Sequence, residues 1–266
     1  MRNSVYLLTI LMMLTVPFKT QGIDLGNHEF IDLSYPYNKD TIYWPTAPSK
    51  FSLEQLAYGR TAAGFFYTAN AIATPEHGGT HIDAPIHFNA MGQTVDQIPL
   101  EQLFLSGVII DVSDKTKRDR NYRLTREDVL LFEATHGQIA ANIAVLLRTG
   151  WGKHWPDVKA YLGDDTQGND SNLKFPSFGE SAVRLLVEER KVALIGVDTA
   201  SIDYGPSRDF IVHRIVGENN VPGIENLANL NKLPATGFML IALPIKVEGG
   251  SGGPVRVVAL VPMHQR

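Results

Sequence analysis

The sequence contains no cysteine. That single absence excludes disulfides, thiolate nucleophiles and sulfur-ligated metals. Charge of one sign is also scarce: 28 acidic against 24 basic residues leave a net charge of −4. No clustered basic excess exists to follow a nucleic-acid backbone. Repeats, heptads and low-complexity linkers are missing. The apolar run at Val5 to Val16 falls short of the roughly 20 residues that span a bilayer as a helix. What remains is ordinary globular composition, 44% hydrophobic over 266 residues, enough to bury a full core in one domain.

The N-terminus reads as a targeting signal. Arg2 supplies a positive charge, the apolar run follows, Pro17 breaks it, and a polar stretch ends at Gln21-Gly22. A run of this length fits a signal-peptide core better than an anchor. The expectation is a signal peptide over 1–22, a mature domain over 23–266, and a secreted or periplasmic protein without a stable membrane anchor. One glycosylation sequon stands at Asn169-Asp170-Ser171.

Short β-rich segments alternate with a few helices. Phe30 to Ser34, Phe65 to Thr74, Val108 to Val112, Ile143 to Leu147 and Val192 to Val197 read as strands. Tyr35 to Ser49 is rich in proline and aromatics and reads as a loop. Thr125 caps a helix whose first turn is acidic, and Phe178 to Arg190 has helical spacing on one face. Phe238 to Val247 and Val255 to Val261 form two more strands. The Gly-rich stretch between them lacks the Lys-Ser/Thr of a phosphate loop, so it is expected to connect a hairpin and pass close to a site. The pattern predicts a single mixed α/β domain.

Three of the eight histidines lie in His77-Gly78-Gly79-Thr80-His81-Ile82-Asp83-Ala84-Pro85-Ile86-His87-Phe88. Imidazoles and carboxylates are the ligands of catalytic zinc and manganese. His77, His81 and Asp83 share parity, so an extended chain through Thr80 to Ala84 points them to one side. Gly78 and Gly79 let the backbone bend between the first two. Pro85 ends the ladder and re-aims His87 towards the same point. Three protein ligands leave a position for water, the catalytic rather than the structural pattern.

This run resembles the signature His-x-Gly-Thr-His-x-Asp-x-Pro-x-His-Phe of the metal-dependent cyclase-like hydrolases, a family that includes isatin hydrolase and bacterial kynurenine formamidase. All eight specified positions match. Asp198-Thr199-Ala200-Ser201-Ile202-Asp203 is similar to the family's Asp-Thr-x-Ser-x-Asp element, and His213 and Glu225 match its downstream His and Glu. The resemblance implies a swivelling β/β/α fold, with a mixed β-sheet core and peripheral helices. It implies that His77, His81 and Asp83 bind a metal, manganese or alternatively zinc, with His87 beside it as the proton-transfer group. His213 and Glu225 would complete the catalytic site. Formamidase-like members hold a second metal there and isatin-hydrolase-like members hold one, so the metal count stays open. From the residues alone, His213 could instead pair with Asp209 or Glu218 in a surface loop. Glu225 could be an exposed first-turn residue of a helix starting at Gly223, where the dipole favours an acid.

The implied chemistry is metal-assisted hydrolysis of a small cyclic or aryl amide. The leader argues against an intracellular catabolic formamidase, so opening of a cyclic amide such as isatin to isatinate is the preferred expectation. Hydrolysis of N-formylkynurenine to kynurenine and formate is the alternative. A secreted metal-binding module without turnover is a third reading, opposed by the intact His87, His213 and Glu225. Candidate substrate-binding aromatics, able to stack on a planar ring, are Trp44, Phe65 and Tyr67, with Tyr43 and Phe66 nearby. Phe65 and Phe66 cannot both face one pocket from a strand. The resemblance also implies a homodimer or higher homo-oligomer.

Overall fold

Eight strands form one large sheet, seven of them closing into a ring with β1 (His28–Asp32) added at its edge, and the histidine-rich motif lies at the closure. The computed structural model describes residues 25–263; the expected signal peptide, 1–22, lies outside the described residues. The twelve strands are β1 (His28–Asp32), β2 (Ser52–Arg60), β3 (Phe66–Ala73), β4 (His81–Asp83), β5 (Phe104–Asp111), β6 (Arg123–Leu124), β7 (Ala144–Arg148), β8 (Ser177–Phe178), β9 (Leu194–Val197), β10 (Gly223–Glu225), β11 (Thr236–Pro244) and β12 (Gly252–Pro262). The large sheet runs β1-β12-β11-β5-β7-β9-β10-β4. Strand β4 then pairs with the start of β12, His81 to Asp83 against Gly252 to Pro254, which closes the sheet into a barrel-like ring.

Strands β5, β7, β9 and β10 are mutually parallel, and the remaining pairings of the large sheet are antiparallel. Parallel strands need both faces covered, and these are covered. Inside the ring, Leu105, Leu146, Leu194, Ile224, Leu240 and Val257 form one core. Gly196 is small because a side chain there would strike Leu146 and Leu227. On the other face, Val145, Leu147, Ile195 and Val197 pack against Val129, Val183, Leu186 and Ile215, residues of the helices.

Those helices are α2 (Arg126–His136), α4 (Glu180–Arg184, continued by a π turn over Leu185–Glu189) and α5 (Ile211–Glu218); α1 (Ser113–Thr116) and α3 (Val158–Leu162) are single turns. Thr125 caps α2 as expected, in a reciprocal box with Asp128. Helix α4 begins two residues later than periodicity suggests. The reason is that Ser177 and Phe178 pair in parallel with Arg123 and Leu124. A third core, with Trp151, Tyr161 and Phe175, lies under the loops that carry Ile42 and Trp44. The mixed α/β architecture expected from the sequence is the one observed. Among the described residues, no helix is long and apolar enough to cross a membrane.

Strands β2 and β3 pair only with each other. This two-stranded arm leaves Leu53, Leu56, Tyr58, Phe65, Phe66, Tyr67 and Ile72 more than half exposed.

Candidate metal centre and active site

Strand β4 is only three residues long, and all three are buried. Its neighbours on either side, β10 and β12, hold it by backbone pairing. Glu225 sits opposite His81 on β10. Glu225 is therefore a buried strand residue, not the exposed first-turn acid of a helix. His213 lies in α5 and is also buried; it does not pair with Asp209 or Glu218 from a surface loop. Its partner is Asp203, whose Oδ2 lies 2.7 Å from Nδ1.

The segment before β4 is bent for a steric reason. Gly79 has φ +57°, and a side chain on Gly78 would fall inside the ring of Tyr43. The bend is held by the Asn226 amide, which donates to Gly79 O at 2.7 Å, while Thr80 Oγ1 donates to Asn226 O at 2.8 Å. After β4, Pro85 opens a 3-10 turn over Pro85–His87. That turn brings the His87 ring parallel to His77, centroids 3.8 Å apart.

Hydrogen bonds set the tautomer of three inward imidazoles, His77, His81 and His213. His81 Nδ1 donates to Gly79 O at 3.0 Å, which leaves Nε2 as the lone-pair atom. His213 Nδ1 donates to Asp203, so its Nε2 lone pair faces Asp83 Oδ2 at 3.4 Å and Glu225 Oε1 at 3.3 Å. The Ser251 hydroxyl lies 2.5 Å from Glu76 Oε2, so it donates there and accepts from His77 Nε2 at 2.9 Å. The His77 Nδ1 lone pair is then aimed at the centre, 2.6 Å from Asp83 Oδ1.

Three imidazole lone pairs and two carboxylates thus converge on one point. Electron-rich atoms this close repel unless a cation or protons lie between them. His81 Nε2 and Asp83 Oδ2 are buried without any hydrogen-bond partner, a costly condition for such groups. Ligand atoms of His81, Asp83 and Glu225 lie within 4.8 Å of one another, as do those of His77, Asp83 and His87. The nitrogen and oxygen donors suit zinc or manganese. The residues present fit a metal, and the two overlapping groups sharing Asp83 have donors enough for one ion or two.

The electrostatics agree. Burial would raise the Asp83 carboxyl, but His81 first, with His213 and His77 beside it, holds it well below the usual carboxylate range. Burial would lower His81, but Asp83 and Glu225 lift it to about 9. This balance favours protons on the imidazoles between the carboxylates, which a bound metal would displace. His87 differs: burial, reinforced by the neighbouring imidazoles, pushes it down to about 4 against the pull of Asp83.

The centre forms the floor of a cavity of about 240 Å³ whose walls include Ile42, Tyr43, Trp44, Phe88 and Phe210. All six expected metal and catalytic residues, His77, His81, Asp83, His87, His213 and Glu225, line it. Of the expected aromatics, Trp44 lines it. Phe65 and Tyr67 do not: they stand on the arm, 58% and 51% exposed. A strand advances about 3.3 Å per residue, which carries the arm's tip away from its root beside the site.

Sequence reasoning gave no role to Asp203, Asn226, Ser251, Phe88 or Phe210. Asp203 was visible as the last residue of a motif, and Ser251 as the one hydroxyl in the glycine run. That run passes close to the site, as expected. A side chain on Gly252 would lie 2.7 Å from His77 Cε1. Partners of ligand histidines typically contribute 10- to 100-fold to metal affinity. Ser251→Ala, which removes the acceptor for His77 Nε2–H, is therefore expected to weaken metal binding by about 10- to 100-fold, measured by competition with a chromogenic chelator. Unchanged affinity would mean that Ser251 does not orient His77.

Comparison with known proteins places this geometry. The family model described as "Putative cyclase" matches residues 31–204. The chain belongs to the cyclase family. This cyclase-family chain is 35% identical over 207 residues to an isatin hydrolase of Roseibium aggregatum, spanning 75% of this chain and 77% of the relative. It is 28% identical over 235 residues to a kynurenine formamidase of Bacillus cereus, spanning 86% and 96%. Among solved structures, isatin hydrolase A from Ralstonia solanacearum superposes with a TM-score of 0.81 at 32% identity, over 89% of this chain and 93% of the other. An isatin hydrolase bound to the product analogue thioisatinate gives 0.82 at 30% identity, over 89% and 94%. The protein is a hydrolase of the cyclase family.

Proposed function

We propose that the protein is a metal-dependent hydrolase that opens a small cyclic amide, isatin or a close analogue, to the ring-opened acid. The observation that carries this reading is the convergence of three oriented imidazoles and two buried carboxylates under a small, aromatic-walled cavity. Similarity to isatin hydrolases over most of the chain supports the choice of substrate. The cavity lies just below the roughly 300–1,000 Å³ of drug-sized sites, which suits a compact planar ring between Trp44 and Phe88. Manganese, or alternatively zinc, is the proposed ion.

A bound divalent ion acidifies water and polarises an amide carbonyl. The chain's own residues do the rest. His77, His81 and Asp83 hold the ion, their lone pairs fixed by Ser251, Gly79 and the neighbouring imidazoles. His87, unprotonated at neutral pH because of its burial, takes the proton from the attacking water and returns it to the leaving nitrogen. His213, locked by Asp203, and Glu225, which accepts from Ile202 N at 2.9 Å, complete the shell or hold a second ion. The apolar N-terminal run supports export, so the reaction is proposed to take place outside the cytoplasm.

The second reading, arylformamidase action on N-formylkynurenine, is favoured by similarity to kynurenine formamidases over 86% of the chain. Parallel assays of the two substrates separate them. The first reading predicts fast loss of isatin absorbance and slow formamide cleavage. The reverse ranking would replace it with the second.

A further inference from the structure

Phe210 occupies a position for which its residue type is ill suited. It is the N-cap of α5, and its backbone is left-handed, with φ 48° and ψ 44°. An N-cap is ordinarily Ser, Thr, Asp or Asn, whose side chain accepts from the first turn. The left-handed region crowds the Cβ of an L-residue and suits glycine or asparagine. Phenylalanine meets neither requirement. The capping is done from outside the helix instead. Asp203 accepts from Val212 N and His213 N, each at 3.1 Å, as well as from the His213 ring. That leaves the side chain at 210 free for another task.

Core burial does not account for the phenylalanine either. Phe210 is half-buried and packs into none of the three apolar cores. Its ring lines the cavity. There it meets Phe88 at 5.3 Å and Trp44 at 6.3 Å between centroids, and stands 6.0 Å from the His213 ring. Backbone strain persists only where the surroundings enforce it, and it gathers at ligand clamps. The enforcing contacts are present. Phe210 N donates to Ser207 Oγ at 3.3 Å. The Arg208 guanidinium donates to the carbonyls of Asp170 and Ser171 at 3.2 and 2.8 Å. Asp170 Oδ2 in turn accepts from the Trp44 indole at 3.4 Å. Trp44 and Phe210 are thus anchored to one segment, which fixes the gap between their rings.

We propose that Phe210 is the specificity-determining residue of the cavity. Its ring closes the slot between Trp44 and Phe88 and limits the size of the group that the substrate's aromatic ring can carry on the side away from the carboxylates. Arg208 does not line the cavity; it is a positioning residue for both walls. The inference rests on the reading of the substrate as a small planar amide and narrows it. The preferred class is a single aryl ring joined to the scissile amide, bare or with small substituents, and not a larger fused system.

The test is the size profile of turnover. Metal-loaded wild type, Phe210→Gly and Phe210→Leu are assayed on isatin and on isatins bearing methyl or tert-butyl at each benzo-ring position. Aryl formamides with the same substituents are run alongside. Glycine takes the left-handed backbone without strain, and leucine keeps an apolar side chain should the glycine variant fail to fold. Circular dichroism and metal content are followed in each. One methylene of pocket space discriminates by about 10- to 200-fold. In both variants, kcat/KM for the bulkier substrate relative to the parent is therefore expected to rise by about 10-fold or more. Arg208→Ala should move the same ratio in the same direction by less, with Arg208→Lys between it and the wild type. Loss of a merely structural residue lowers kcat/KM for all substrates alike and leaves the ratio where it was. Calorimetric binding of benzoate and 4-tert-butylbenzoate gives a readout without turnover, with the relative affinity for the larger acid rising in Phe210→Gly. Isatin hydrolysis with the size ratio unchanged in both Phe210 variants, in turnover and in binding, overturns this inference alone. A shifted ratio on formamides with no cyclic amide hydrolysed overturns the substrate reading and leaves Phe210 as the size limit.

Discussion

Replacing His87 with alanine is expected to lower turnover by about 10²–10⁴-fold, the usual contribution of a positioned acid–base group, while the purified protein keeps its metal. The argument is geometric first. His87 lies on a 3-10 turn directly after β4, stacked on His77 at 3.8 Å and facing His213 at 5.8 Å between centroids. It reaches the centre, yet among the described residues no hydrogen bond fixes either of its nitrogens. His77, His81 and His213 are each tied at the far nitrogen, to Ser251, Gly79 and Asp203. Tied imidazoles suit ligands, whose orientation must not drift. An untied one suits proton transfer. Its low pKa, about 4 and caused chiefly by burial, keeps it available as a base. Stopped-flow or steady-state rates, with elemental analysis of the same sample, check this. A rate within a few-fold of wild type would remove His87 from the reaction; loss of metal in step with loss of rate would make it a ligand.

His81→Ala should have the larger and opposite signature: the metal is lost and turnover with it. His81 is 2% exposed, and its Nε2 lies 3.2 Å from Asp83 Oδ1 and 3.4 Å from Glu225 Oε2. His213 Nε2 also faces both carboxylates, but at their other oxygens, Asp83 Oδ2 and Glu225 Oε1. Truncation leaves two buried carboxylates facing an empty volume, and water fills it rather than a nitrogen donor. Elemental analysis after desalting is expected to find less than about one tenth of the wild-type metal, on the scale of losses that exceed those of outer-shell partners. Full metal content in this variant would mean that the ion sits elsewhere. Ser251→Ala, by contrast, retains metal under saturating conditions, which separates a ligand from its support.

Much of the site was legible because its information is local. Parity along a short extended chain puts His81 and Asp83 on one side, the Gly78-Gly79 bend brings back His77, and Pro85 announces the turn that delivers His87. The fold class was legible for the same reason: Ile143 to Leu147 and Val192 to Val197 are short continuous apolar runs, the pattern of strands covered on both faces. Ring closure was not legible. It depends on β4 pairing with both β10 and β12, contacts across 140 residues or more that no window contains. The roles of Ser251 and Asn226 were hidden for the same reason, since each acts on a residue far away in the chain. Phe65 and Tyr67 show the opposite failure. Nearness in sequence to the metal motif suggested nearness in space, but an intervening hairpin arm carries them outward. An exposed aromatic on such an arm is indistinguishable by composition from one that lines a pocket.

The most direct test of the account is isatin hydrolysis by protein stripped with a chelator, desalted, and then titrated with manganese or zinc. The account predicts negligible loss of isatin absorbance in the stripped protein. It predicts activity rising with added ion and saturating at one or two equivalents per chain, with no recovery in His81→Ala. Full activity in stripped protein, or rebound metal with no hydrolysis of any cyclic amide or aryl formamide, would contradict it.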